Sequence, residues 1–221
     1  MIQNKIVKIM SNLMEFRGSL ERNQFVSDHI EHLEHFLRVL VEELFNRNLY
    51  TDRLHFWNME LFFQSAALHD IGKIVIRENI LLKPEGLSPD EFAEVQKHTI
   101  YGENIISQIR MSFPESKLLN HAQVIAGTHH ERWDGLGYPR RLAGEEIPLE
   151  GRFVALVDVF DTLISARPYK KALSMGEALK IIKAGRGSQF DPALTDAFLD
   201  ASRNFHTQSA AAAGRRDSSR W

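Results

Sequence analysis

The 221-residue sequence has no cysteine. That excludes disulfide stapling and thiolate metal sites, and it fits a reducing, cytoplasmic setting. No apolar run approaches the roughly 20 residues that a membrane helix needs, so no membrane span is expected. The opening "MIQNKIVKIMSNLMEF" has no continuous hydrophobic region and no small-residue cleavage site, and it does not read as a signal peptide. Excess charge is also missing: 27 Lys and Arg stand against 29 Asp and Glu, for a net charge of −2. Without a broad basic field, no DNA partner is expected, and any phosphate ligand must be held by a local site. There is no alternating strand pattern of useful length and no internal repeat.

What is present is helical periodicity. From Asp28 to Leu44 the residues Leu33, Phe36, Leu37, Leu40, Val41 and Leu44 form one apolar stripe, with Asp28 as the expected N-cap. A more apolar, buried helix is expected over 57–68. Ser88, Pro89 and Glu91 in "LSPDEF" spell a helix start with a capping box. Further helices are expected at 98–110, 117–129, 150–165, 174–185 and 192–203, with one long irregular loop at 131–149. The fold class is all-α. Upstream, Ile2, Ile6, Ile9, Leu13, Phe16 and Leu20 make a heptad-like seam. It fits equally a helix packed on its own domain and the helix of a parallel homodimer. The tail "TQSAAAAGRRDSSRW" is low in complexity and is expected to be disordered. The expected organisation is a linker helix at 1–25, one domain at 26–203, and a tail at 204–221.

Several polar residues fall where apolar ones belong. "LHDIGK" puts His69 and Asp70 at the end of an apolar helix, where a carboxylate is costly to bury unless paired or metal-bound. Taken singly, that pair could be a hydrogen-bonded His–Asp at a helix end. His29 shares the apolar face of its helix, where a lone histidine is more often a satisfied core residue than a ligand. His98 follows the Pro89 helix. Asp158 lies in the apolar "FVALVDVFDTL", and Asp161 three residues on either shares that face or meets solvent. "GTHHERWDGLGYP" adds His129 and His130. Neighbours on a helix point about 100° apart, so these two read as reaching different metal ions. A core cannot leave so many imidazoles and carboxylates unsatisfied, whereas a metal cluster satisfies them all. Nitrogen and oxygen donors without sulfur suit iron, manganese, zinc or nickel. Two cations about 3.5–4 Å apart, bridged by carboxylate, stabilise a phosphoryl displacement and acidify water. The residues alone thus point to a metal-dependent phosphohydrolase of unstated substrate.

In order, "HDIGK", "ILLKPEGLSPDEF", "HTIYGENII", "HHERWDGLGYP", "LAGEEIPLEGRFVALVDVFDTLISARPYKKA" and "GSQFDPAL" resemble the HD-GYP domain over roughly residues 26–200. That is a subgroup of the HD superfamily of metal-dependent phosphohydrolases. The first 25 residues resemble the linker helix that often follows a receiver domain, which would here act in trans or lie upstream. The resemblance implies an HD-superfamily helical bundle with an irregular GYP loop. It implies hydrolysis of cyclic di-GMP to pGpG or GMP by attack of a metal-bridged water. It carries metal ligands onto His29, His69, Asp70, His98, His129, His130 and Asp158. Asp70 is the implied bridge, and Lys73 lies beside it near the scissile phosphate. Arg167 and Lys170 fall on phosphate-holding positions, and Tyr138 lines the groove on a loop implicated in docking cyclase-type (GGDEF) domains.

This chain departs from the family pattern in three places. His32 stands where an arginine is usual, Arg141 where a glycine is usual, and Phe25 where trinuclear members have a glutamate ligand. Phe25 cannot coordinate, so two divalent ions are expected, iron or manganese. His29, His69, Asp70 and Asp158 would hold one, and Asp70, His98, His129 and His130 the other, with His32 and His35 outside the set. This partition and the different-ion reading of His129 and His130 disagree. The rival functions are a non-catalytic cyclic di-GMP-binding or cyclase-docking module, and a phosphohydrolase acting on another nucleotide.

Overall fold

The computed structural model describes residues 20–83, 86–166 and 171–205, with side chains from residue 28 onward except that of Asn204. The seam from Ile2 to Phe16, the Phe25 side chain, Arg167, Lys170 and the tail from 206 lie outside these. Among the described residues the secondary structure is helical, with only two isolated bridges, Asp134–Ala143 and Arg186–Phe190. The all-α expectation holds.

The first described helix, α1, spans Leu20–Asn46. It passes straight through Asp28, so the expected N-cap there is wrong. The apolar stripe starts near Asp28, but helical backbone extends a further two turns beyond the stripe that packs. That stripe is buried as read, with Leu33, Leu37, Leu40 and Leu44 at 0–1% exposure. Short α2 (Thr51–Leu54) leads to α3 (Met59–Ala66), whose first turn is capped by the Asn58 side chain accepting the Leu61 N–H. A 3-10 turn at Ile71–Val75 and α4 (Glu78–Leu81) follow. α5 (Pro89–Gln96) begins with the expected Ser88–Glu91 capping box, and α6 is His98–Ser112. α7 is Lys117–Thr128, and the loop after it holds a 3-10 turn at Gly144–Glu146. α8 (Leu149–Ile164), α9 (Met175–Ala184) and α10 (Pro192–Ala201) complete the bundle.

One core joins α1, α3, α8, α9 and α10 through Phe36, Phe62, Phe153, Phe160, Ile182 and Phe198. A second, smaller core packs the 3-10 turn on α6 and α7 through Leu68, Ile71, Ile106, Leu119 and Ala122. The seam between the two carries the polar residues. Gly72 sets its width: a Cβ there would lie 1.9 Å from the His98 carbonyl oxygen and 2.5 Å from the Gly102 nitrogen. Only glycine lets the turn after Asp70 sit this close to the start of α6, and this brings His98 against Asp70.

Arg152 of α8 is buried and donates from Nη1 to Asp191 Oδ2 at 2.7 Å. Tyr50 Oη donates to the same oxygen at 2.8 Å, while Asp191 Oδ1 caps α10 at the Ala193 and Leu194 N–H groups. The Arg152 guanidinium also lies over the rings of Tyr50 and Trp133, at 5.6 and 5.7 Å. Among the described residues no helix is long and apolar enough to cross a membrane.

Candidate metal centre

The seven residues expected as ligands converge from five places: α1, the turn after α3, the start of α6, the end of α7 and the middle of α8. Their donor atoms form two groups. Asp70, His98, His129 and His130 make one, and His29, His69 and Asp158 the other, with donors within 4.8 Å of each other in each group. Asp70 faces both groups. Its Oδ2 is 3.3 Å from His69 Nε2, and its Oδ1 is 3.2 Å from His98 Nε2 and 3.8 Å from His129 Nε2. Asp158 Oδ1 lies 3.5 Å from His29 Nε2 and 4.0 Å from His69 Nε2.

His129 and His130 fall in the same donor group, which goes against the reading that they reach different ions and agrees with the partition that gives them one. α7 ends at Thr128, and the chain turns at once. His129 still donates its backbone N–H to the Ile125 carbonyl, and the two rings lie 4.2 Å apart, tilted by 42°.

Hydrogen bonding decides what this cluster fits. His98 Nδ1 lies 2.7 Å from the Val95 carbonyl, and His129 Nδ1 lies 3.0 Å from the Ile125 carbonyl. A carbonyl only accepts, so Nδ1 carries the hydrogen in both rings. In neutral imidazoles both Nε2 atoms then present lone pairs, and they face each other at 3.3 Å. Two lone pairs at that distance repel unless positive charge lies between them. His69 repeats the pattern, with Nδ1 2.9 Å from the Ala66 carbonyl. His69 Nε2 and Asp70 Oδ1 are buried and have no hydrogen-bond partner among the described residues. Buried polar atoms left this way call for a ligand.

The electrostatics agree. Burial opposes charge on His69, yet the Asp70 and Asp158 carboxylates overcome it and hold the pKa at about 9. A field that draws a proton to this nitrogen also favours a metal cation. Burial likewise opposes the Asp70 carboxylate, but Lys73 and His69 keep its pKa well below the usual carboxylate range. Burial depresses His129, and burial together with the neighbouring His129 depresses His130 strongly, which keeps both in the neutral, ligating form.

Lys73 Nζ donates to Asp70 Oδ2 at 2.5 Å. The Tyr138 ring stacks on His130 at 4.8 Å. A cleft of about 240 Å³ opens beside these rings, walled by Phe92, Gln96, Tyr138 and Gln189. His35 is in neither donor group, and neither is His32, which bonds to Asp161.

Two residues that sequence reasoning left open or unnamed hold the site together. Asp161 is fully buried against His29 and His32. Its position one turn after Asp158 on an apolar helix was the available signal. Glu131, directly after the histidine pair, is also buried. Its carboxylate accepts the backbone N–H groups of Arg140 at 2.7 Å and Leu142 at 3.1 Å, fixing the loop around Arg141. Arg141 sits at φ +56°, a conformation that favours glycine, which accounts for the glycine usual at this position. Glu131→Ala would leave both N–H groups unpaired. The expected loss is roughly 1–3 kcal/mol in urea unfolding, with faster amide exchange at 140–142. Unchanged exchange there would show that the loop holds itself.

A family model described as an HD domain matches residues 24–194. The chain belongs to the HD domain family. HD domain phosphohydrolases are metal-dependent, and the His/Asp cluster of this chain is able to hold metal. Its Gly137-Tyr138-Pro139 loop and the relatives it matches make it an HD-GYP domain. This HD domain chain is 42% identical over 205 residues to a probable cyclic di-GMP phosphodiesterase of Vibrio cholerae, covering 92% of this chain and 45% of that protein. It is 38% identical over 158 residues to 3'3'-cGAMP-specific phosphodiesterase 2 of the same organism, covering 69% and 29%. The chain therefore spans less than half the length of these relatives. Among solved structures, an HDG"Y"P protein from Bdellovibrio bacteriovorus superposes with a TM-score of 0.56 at 20% identity, covering 80% of this chain and 52% of that one. That likeness is one of fold.

Proposed function

We propose that the chain is a metal-dependent phosphodiesterase that hydrolyses cyclic di-GMP to pGpG, GMP or both. The observation that supports this most is the single carboxylate, Asp70, facing two histidine-rich groups. Two divalent cations, iron or manganese, would supply Lewis-acid charge to the phosphate oxygens and acidify water. His29, His69 and Asp158 would hold one, His98, His129 and His130 the other, and Asp70 would be common to both. Lys73, tied to Asp70, keeps that carboxylate ionised and adds positive charge where a phosphodiester would lie. Tyr138, Phe92, Gln96 and Gln189 line the adjoining cleft, where a base would meet aromatic and amide side chains. The ring of Tyr138 also limits how His130 can turn.

The relative named for 3'3'-cGAMP favours a second reading, hydrolysis of that hybrid dinucleotide. One experiment separates the readings: protein purified anaerobically is analysed for metal, then assayed on cyclic di-GMP and 3'3'-cGAMP. Faster turnover of cyclic di-GMP is expected. Faster turnover of 3'3'-cGAMP would move the assignment to the second substrate. Tight binding of cyclic di-GMP with no linear product from metal-loaded protein would mean a sensor.

Arg167 and Lys170 are assigned to the substrate phosphates because the "RPYK" motif matches those positions. Arg167→Ala is expected to weaken cyclic di-GMP binding about tenfold, the loss of one charge-assisted contact of about 1.5 kcal/mol, with metal content unchanged. Unaltered affinity in a calorimetric titration would return both residues to ordinary surface charge.

A further inference from the structure

Three of the inward imidazoles are anchored alike. His69, His98 and His129 each set Nδ1 against a backbone carbonyl one turn back, on Ala66, Val95 and Ile125. His29 differs. It lies inside α1, and its Nδ1 is 2.5 Å from Asp161 Oδ2, on α8. The other Asp161 oxygen, Oδ1, lies 2.8 Å from His32 Nδ1 and accepts from Ser165 Oγ at 3.3 Å. The Asp161 side chain is 1% exposed, so its charge is confined to these partners.

One turn earlier on α8, Asp158 Oδ1 faces the opposite nitrogen of the same ring, His29 Nε2, at 3.5 Å. The ring is thus held between two carboxylates. A neutral imidazole has one N–H and can serve only one of them. The shorter contact claims it for Asp161, and the Nε2 lone pair then faces Asp158. That arrangement is favourable with a cation between Nε2 and the Asp158 carboxylate. Carboxylate backing of this kind fixes ring orientation and tautomer and raises ligand basicity.

We propose that Asp161 is a positioning residue for the group formed by His29, His69 and Asp158: it turns His29 Nε2 inward and gives this group an anionic support that the other does not have among the described residues. The assignment rests on the metal-centre reading above. It makes the two groups unequal. Loss of Asp161 acts on one group and spares the other, because His98 and His129 depend on their own helical carbonyls.

The test titrates the metal-free 221-residue chain with cobalt(II), following the visible spectrum and competition with a chelating dye. Wild-type protein is expected to take up two equivalents, one per group. Asp161→Ala should lower the affinity of one equivalent by 10–100-fold, roughly the cost of losing an outer-shell partner, and leave the other unchanged. Asp161→Asn keeps an oxygen acceptor for the His29 N–H without the charge, so its loss should be smaller. His32→Ala leaves the His29 contact in place and should titrate as wild type. Far-UV circular dichroism of the metal-free variants controls for folding. Two unchanged equivalents in Asp161→Ala would overturn the assignment. So would equal weakening of both equivalents, or weakening only in step with lost helicity. Wild-type protein that takes up no cobalt would overturn the metal centre itself, a different result from an unaffected variant.

Discussion

Asp70→Ala is expected to abolish hydrolysis of cyclic di-GMP, a fall of at least about 10²–10³ in kcat, and to reduce bound metal. The rate estimate follows from losing one preorganised electrostatic contact at such a centre. The loss of metal has its own cause. Among the described residues, Asp70 alone sends one oxygen toward His69 and the other toward His98 and His129. Two unit charges about 4 Å apart repel by about 4 kcal/mol at an effective dielectric of about 20, and two dications by about four times that. An anion between them offsets much of this repulsion, and alanine leaves none. Lys73 would also lose its partner and add uncompensated positive charge beside the site. Elemental analysis and a turnover assay on the same sample check the prediction. Full occupancy with a normal rate would refute a centre organised around Asp70.

The residues of the two donor groups were legible because most are polar residues on an apolar helix face or at a helix end. His29 and Asp158 stand on apolar helix faces and His69 at an apolar helix end, and burial of such groups demands a partner. Helix starts were legible where the cap is local: Ser88 and Ser174 both form capping boxes with the glutamate three residues on. Failures came where the deciding contact is remote or the backbone leaves its regular path. Asp28 looks like a cap, but the helix continues upstream of it. The His129–His130 pair read as divergent from helical spacing alone, whereas both rings fall in one donor group. Asp161 was left undecided between core and solvent because its partners, His29 and His32, lie about 130 residues away in sequence. Arg152 carried no signal, since its counterion lies 39 residues further on.

Asp191→Ala is expected to destabilise the fold by roughly 3–5 kcal/mol, the cost of leaving a buried charge unpaired. Arg152 and Asp191 have side chains 2% and 1% exposed, so water cannot replace the lost contact. The guanidinium is already only partly satisfied: Nε and Nη2 are buried with no hydrogen-bond partner among the described residues. Removing Asp191 also frees the Tyr50 hydroxyl and uncaps α10. Burial, the largest cause of the raised Tyr50 pKa, persists without Asp191 and opposes ionisation of Tyr50 as a replacement anion. For a chain of this size the expected fall in Tm is about 10 °C. Asp191→Asn, which keeps the cap but not the charge, should fall between. Pairing Asp191→Ala with Arg152→Met should recover part of the loss, because the orphaned charge goes with the arginine. The effect should reach the loop that follows the His129–His130 pair. Trp133, on which Arg152 lies, donates its N–H to the Gln189 carbonyl, and Asp134 donates to that of Ser188, just ahead of Asp191. Asp191→Ala should therefore speed amide exchange at 133–134, while the charge-free double variant should slow it again. A loss below about 1 kcal/mol in urea unfolding, or a double variant weaker than Asp191→Ala, would mean that Arg152 is held by its ring contacts rather than by its carboxylate.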